Sequence, residues 1–244
     1  MIINVLKTPE ELGKKAAKEI AFYLKGAIKV HGEANLLLST GASQFETIAA
    51  LVKEEVDWSK VSMFHLDEYV NLPESHIASF RKYLKERFVS KIPLKKAYFV
   101  DGEGDVEKNI EELSNILKNT TINVGVIGIG ENGHVAFNDP PADFDTDKAF
   151  KIVELDEKCK MQQVREGWFK SIDEVPTQAI TMCIKQILSS QVIISCVPHS
   201  VKAEAVKNTL SQKVNPNVPA TILKTHPNWN LYLDTESAKE FFIF

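Results

Sequence analysis

Short, uninterrupted apolar runs spaced by longer stretches of helical periodicity most constrain what this chain can become. The runs are ANLLLS (34–39), VSMFHL (61–66), AYFV (97–100), INVGVIGI (122–129), FKIVEL (150–155), QVIISCV (191–197) and NLYL (230–233). A strand wetted on one face alternates apolar and polar residues, whereas these runs do not, so they predict strands covered on both faces. With 10–20-residue helical segments between them, they predict a mainly parallel sheet with crossover helices, an α/β architecture. The first helix is explicit: in TPEEL, Thr8 is the expected N-cap, Pro9 the first helical residue and Glu11 the third, followed by an apolar face through Leu12, Ala16, Ile20, Leu24 and Ala27. A length of 244 residues, with no low-complexity segment, repeat or linker, fits one domain over 1–244.

Charge and cysteine usage narrow the partners. A net charge of −4, with lysines scattered along the chain, offers no field for nucleic acid. Cys159, Cys183 and Cys196 are odd in number and widely spaced, which predicts reduced thiols and no zinc or dithiol motif. The N-terminal residues turn acidic where a leader would be apolar, and no run approaches the ~18 apolar residues of a membrane span. The expectation is a cytoplasmic protein without a membrane or nucleic-acid partner.

In open α/β sheets ligands bind beyond the carboxyl ends of the strands, and four such ends carry chemistry. After ANLLL come Ser39, Thr40, Gly41, Ala42 and Ser43, then a helical pattern; hydroxyls and free amides at a helix start predict an anion site or, equally, a simple cap. After VSMFHL come Asp67 and Glu68, where Tyr69, Leu72 and Pro73 would wall in a carboxylate and raise its pKa, as suits a base. After QVIISCV comes Lys202, in a first helical turn whose dipole disfavours a cation, implying a nearby anion; Arg165 is a second candidate cation.

The fourth end is GIGENGHVAFNDPP (128–141), whose first six residues satisfy the G-x-G-x-x-G pattern of dinucleotide binders. A dinucleotide site needs a helix to start there, and Pro140 and Pro141 after His-Val-Ala-Phe-Asn-Asp oppose one. The glycines instead predict a tight turn that delivers His134 to the strand end, with Asn132 and Asp139 close enough to orient its ring.

Taken together, STGAS, LDEYVNLP, GIGENGHVAFNDP, VPTQAITM, SVKAEAV and VPATILKTHPNWNLYLD resemble, in the same order, the glucosamine-6-phosphate deaminase family, within the superfamily shared with 6-phosphogluconolactonases. The resemblance implies a Rossmann-like three-layer sandwich and conversion of an amino-sugar phosphate to a keto-sugar phosphate plus ammonia, without metal or redox cofactor. It gives Asp67 the proton transfer between C2 and C1 and His134 the opening of the sugar ring. Asp139 would orient that histidine, and Thr40, Gly41, Ala42 and Ser43 would hold the phosphate with Lys202 and Arg165. A homo-oligomer is left open, as is the choice between glucosamine and galactosamine phosphates.

The chain departs from the family pattern at Asn132, where many members carry aspartate, and at Asp139, where glutamate is usual. Arg165 aligns only with a one-residue shift, and DPPADFDTDKAF is unlike the Gly-Ser-Ser-rich effector segment of regulated members. Two alternatives follow from the same fold. A 6-phosphogluconolactonase would carry Thr-Ala-Ser-Leu-Phe-Pro after the histidine, where this chain has Val-Ala-Phe-Asn-Asp-Pro. A non-catalytic sugar-phosphate sensor would be expected to add a DNA-binding domain and to lose Asp67 or His134.

Overall fold

The computed structural model describes residues 1–242. In chain order its strands are β1 (Ile2–Leu6), β2 (Ala34–Leu38), β3 (Val61–His65), β4 (Asp67–Tyr69), β5 (Lys96–Tyr98), β6 (Val124–Val126), β7 (Phe150–Glu154), β8 (Gln178–Met182), β9 (Val192–Val197) and β10 (Trp229–Asp234). The helices are α1 (Pro9–His31), α2 (Phe45–Leu51), α3 (Phe80–Arg87), α4 (Val106–Leu117), α5 (Glu157–Arg165), α6 (Ile184–Leu188), α7 (Ala203–Ser211) and α8 (Thr235–Ala238). Thr8 caps α1 as its sequence predicts, its hydroxyl accepting from the Glu11 amide at 3.2 Å. No helix among the described residues is long and apolar enough to cross a membrane.

Seven strands form one all-parallel sheet in the order β1-β10-β9-β6-β2-β3-β5. The doubly buried runs have two cores to fill. Leu36 and Leu38 of β2 pack with Leu12, Ile20 and Leu24 of α1 on one face, whereas Leu37 packs with Leu113, Ile187 and Val206 on the other. This split follows from the two-residue period of a strand, which sends successive side chains to opposite faces. Helix α1 lies close on α2 because Gly13 has no Cβ: one would stand 2.6 Å from the Glu46 carbonyl carbon.

Three features differ from the sequence expectation. FKIVEL does not join the parallel sheet; β7 pairs antiparallel with β8, and β8 with β4, as a separate three-stranded sheet. β8, within VPTQAITM, was not among the predicted runs. β1 was also not anticipated, because IINVL is short and ends the sheet as an edge strand beside β10, half wetted.

The sheet order puts β9, β6, β2 and β3 side by side, so the four chemically marked strand ends are neighbours. The chain leaves β2 for β3 on one side and takes β6 on the other, the reversal at which an open α/β sheet leaves a crevice.

Candidate active site

A cavity of about 490 Å³ fills that crevice, and each of the four strand ends contributes to it. From the end of β2, residues Ser39, Thr40, Gly41, Ala42 and Ser43 line it. Gly41 turns there at φ 95°, a left-handed value that disfavours a side chain, and its carbonyl accepts from the Tyr83 hydroxyl at 3.0 Å. Ala42 opens a short 3-10 turn leading into α2, so its amide and that of Ser43 have no intrahelical acceptor. The Ser39 hydroxyl, itself buried, makes no hydrogen bond among the described residues.

Lys202 comes from the turn after β9 and lines the same cavity. Only 6% of it is exposed, and among the described residues its ammonium has no hydrogen bond or ion pair. Burial lowers its pKa, with Glu166 and Glu131 pulling the other way. Arg165, at the end of α5, also lines the cavity; its guanidinium pairs with Glu131 and is mostly exposed. The cations expected from the sequence are therefore together, Lys202 deep and Arg165 at the rim.

At the end of β3 the two carboxylates separate. Glu68 is fully buried and claimed by five donors: the amides of Tyr69, Phe80 and Arg81, the Ser79 hydroxyl, and Arg81 Nε at 3.2 Å. Arg81 extends the network to Asp101 and Glu103, so Glu68 is a structural anchor. Asp67, on the opposite face of β4, lines the cavity, and its Oδ1 is buried with no donor among the described residues. Burial pushes its pKa up from 3.8 to about 8, and the Glu68 charge adds to the rise. The walling expected from Tyr69, Leu72 and Pro73 comes on the cavity side from Leu66, Phe80, Ala136 and Phe137, and Pro73 is exposed.

The glycine loop delivers His134 opposite. No helix follows Gly133 before α5, which removes the dinucleotide reading. Gly130 is needed for space: a Cβ there would lie 2.2 Å from His134 Cε1 and Nε2, so the imidazole rests on bare backbone. Gly133 takes φ 83° to bring the chain round. His134 Nδ1 lies 3.2 Å from Asp139 Oδ1, short of hydrogen-bond alignment but well within charge contact. Asn132 clamps both partners, its Oδ1 accepting from the His134 amide and its Nδ2 donating to Asp139 Oδ1, each at 3.0 Å. Burial raises the Asp139 pKa, but His134, Asn132 and the Cys159 thiol outweigh it and hold the carboxyl below its usual value. Neither Asn132 nor Asp139 lines the cavity; both act from behind the imidazole. An ionised aspartate at 132 could not donate to Asp139, so the amide suits this pair.

Other residues on the cavity had no sequence signal. Gln162, Gln163, Glu166 and Trp168 come from α5 and the turn after it, and Phe80 and Phe137 supply an apolar wall. His199 lies in the turn before Lys202 with φ 80° and ψ 146°, a strained backbone for a residue with a side chain, and its amide donates to Asp234 Oδ2 at 3.0 Å. Among the described residues no three His, Cys, Asp or Glu side chains group as a metal site would require.

Known proteins resemble this chain in sequence and in fold. A family model described as glucosamine-6-phosphate isomerases/6-phosphogluconolactonase matches residues 7–231. The chain is 35% identical to a glucosamine-6-phosphate deaminase of Bacillus cereus over 97% of its own length and 88% of that protein's, and equally so to one of Bacillus thuringiensis. A solved monomeric glucosamine-6-phosphate deaminase superposes with a TM-score of 0.91 at 29% identity, covering 98% of this chain and 100% of that one. A 6-phosphogluconolactonase of Shewanella baltica superposes at 0.79 with 19% identity, covering 96% and 97%, a likeness of fold.

Proposed function

The chain belongs to the glucosamine-6-phosphate isomerase/6-phosphogluconolactonase family, and on that premise we propose that it converts glucosamine 6-phosphate and water to fructose 6-phosphate and ammonia. The observation that carries this reading is Asp67: a carboxyl without a donor, its pKa lifted to about 8, facing the same cavity as an oriented histidine and a cationic anion loop. A proton carrier works best when its pKa is near the working pH, because it then both takes and returns the proton.

Each step has a group in place. The phosphate sits on Thr40, Gly41, Ala42 and Ser43, where hydroxyls and unclaimed amides converge, with the Lys202 ammonium on its dianion and Arg165 closing the rim. His134, its Nδ1 held against Asp139, moves a proton between the anomeric hydroxyl and the ring oxygen, opening the ring to the aldehyde. Asp67 takes the proton from C2 as O1 gains one, giving an enolamine; the Asp67 proton then returns at C1 while the nitrogen lone pair forms an iminium at C2, which gives up a proton to leave the imine. Water adds to that imine carbon and ammonia leaves, giving the ketone. Asn132 and Asp139 are positioning residues for this chemistry, since they touch His134 and not the cavity.

In the same reading, residues 1–244 act as one domain in the cytoplasm on a free phosphorylated amino sugar, without nucleic acid or membrane. The test is ammonia release from glucosamine 6-phosphate beside hydrolysis of 6-phosphogluconolactone. Ammonia with no lactone hydrolysis is expected; the reverse pattern, or binding of the amino sugar without turnover, sinks the reading.

A further inference from the structure

Among the described residues, four deep polar side chains of the cavity make no hydrogen bond through their functional groups. The Ser39 hydroxyl stands beside the phosphate loop, and Asp67 Oδ1 and the Lys202 ammonium are used by the proposed chemistry. The fourth is the Gln163 carboxamide. Gln163 is 7% exposed and lines the cavity, and among the described residues its side chain has no partner. Its neighbours on α5 are occupied: Gln162 Nε2 donates to Glu166 Oε1 at 2.7 Å, and Trp168 Nε1 to Glu166 Oε2 at 3.0 Å. The Gln163 carboxamide therefore presents its donors and its acceptor to the cavity with none of them claimed by the chain around it.

The course of α5 shows what stands opposite this amide. At its start the Cys159 thiol contacts Asp139 and feels the Asp67 charge, which places that end behind His134, on the Asp67 side of the cavity. At its finish Arg165 and, just beyond, Glu166 act on the Lys202 ammonium, which places that end beside the phosphate. Gln163 is one helical turn past Cys159, a rise of ~6 Å. A hexose 6-phosphate stretched between the two ends has its C3 and C4 carbons in that interval. What those carbons carry is a neutral hydroxyl, both donor and acceptor, and a carboxamide matches it in both senses.

We propose that Gln163 is a specificity-determining residue, its carboxamide reading a secondary hydroxyl of the sugar, at C3 or C4, midway between Asp67 and the phosphate. The inference rests on the deaminase reading above. If the C4 hydroxyl is the one read, Gln163 also discriminates glucosamine from galactosamine 6-phosphate, which differ at that centre.

The experiment measures kcat/KM for ammonia release from glucosamine 6-phosphate and its 3-deoxy and 4-deoxy analogues, with wild type and Gln163→Leu. The variant removes no partner within the chain; Gln163→Met, closer in length, replaces it should the leucine not fold. Removing either the amide or the hydroxyl it reads should lower kcat/KM by about 10- to 100-fold. Against the matching deoxy analogue the variant should then cost less than about 3-fold, because the two losses are one interaction. A variant within 2-fold of wild type on all three substrates, or an equal loss on all three, overturns the assignment of Gln163 while leaving the deaminase reading intact. Failure of the wild type to release ammonia from any of the three overturns both.

Discussion

Replacing Asp67 by asparagine should stabilise the protein while disabling it, and the stabilisation should depend on pH in a defined sense. The carboxyl has a pKa of about 8 in the fold against 3.8 as an ordinary aspartate. Below pH 3.8 both folded and unfolded forms keep the proton, and the group costs nothing. Between pH 4 and 8 the unfolded chain releases it and the fold does not, so stability falls as pH rises, by at most about 1.4 kcal/mol per pH unit. From pH 5 to pH 8 the ceiling is therefore ~4 kcal/mol. Relaxation around the charge, equivalent to an effective dielectric nearer ~20 than ~4, lowers that ceiling to ~2 kcal/mol. Asparagine, nearly the same shape and never charged, escapes it. For a chain of this size ~2 kcal/mol is about 4–8 °C in melting temperature. Thermal melts of wild type and Asp67→Asn at pH 5 and pH 8, in one ionic strength, should show the variant's advantage widening by that amount. Other titrating groups cancel in the difference. The same protein should lose ~10²–10⁴ in turnover and all solvent-deuterium exchange at C2. Melting differences that stay constant between the two pH values would show Asp67 ionised throughout, and the argument for it as a near-neutral base would fail.

Two further changes probe the rest of the cavity. Lys202→Ala removes a buried cation from the phosphate and should raise KM about 10- to 100-fold with a much smaller change in kcat, the mark of lost ground-state binding; an unchanged KM would detach Lys202 from the substrate. Gly130→Ala should lower kcat by ~10² while leaving the thermal melt nearly as it was, because the new methyl displaces the His134 ring and a shift near 1 Å costs that much in rate. Wild-type turnover in that variant would mean the ring's place on the Gly130 backbone does not matter.

Much of this site was legible in the sequence for a physical reason. A parallel sheet sends every strand's carboxyl end to one edge, so residues just past the apolar runs must share a neighbourhood. That is why Thr40 to Ser43, Asp67, His134 and Lys202 meet although they lie far apart in the chain. The helix over 9–31 was equally plain, because its cap, proline and apolar spacing are local. Two prolines in NDPP sufficed to reject the dinucleotide reading, since a helix could not start where the pattern needed one.

Only the tertiary structure decided how adjacent residues divide their labour. Asp67 and Glu68 are neighbours of like chemistry, and nothing local says which is the base; β4 turns one to the cavity and the other to five donors around Arg81. FKIVEL is as apolar as a central strand, and what takes it out of the parallel sheet is its antiparallel pairing with β8, which in turn meets β4 from more than a hundred residues away. Gln163 reads in sequence as one polar residue of a helix. Its meaning comes from the burial of its side chain, the pairing of Gln162 with Glu166 beside it, and the path of α5 between the two ends of the cavity. Apolar spacing and turn chemistry are written along the chain, because short-range sterics and hydrogen bonds enforce them. Burial, and with it the pKa of Asp67 and the unclaimed amide of Gln163, depends on what the rest of the chain brings alongside.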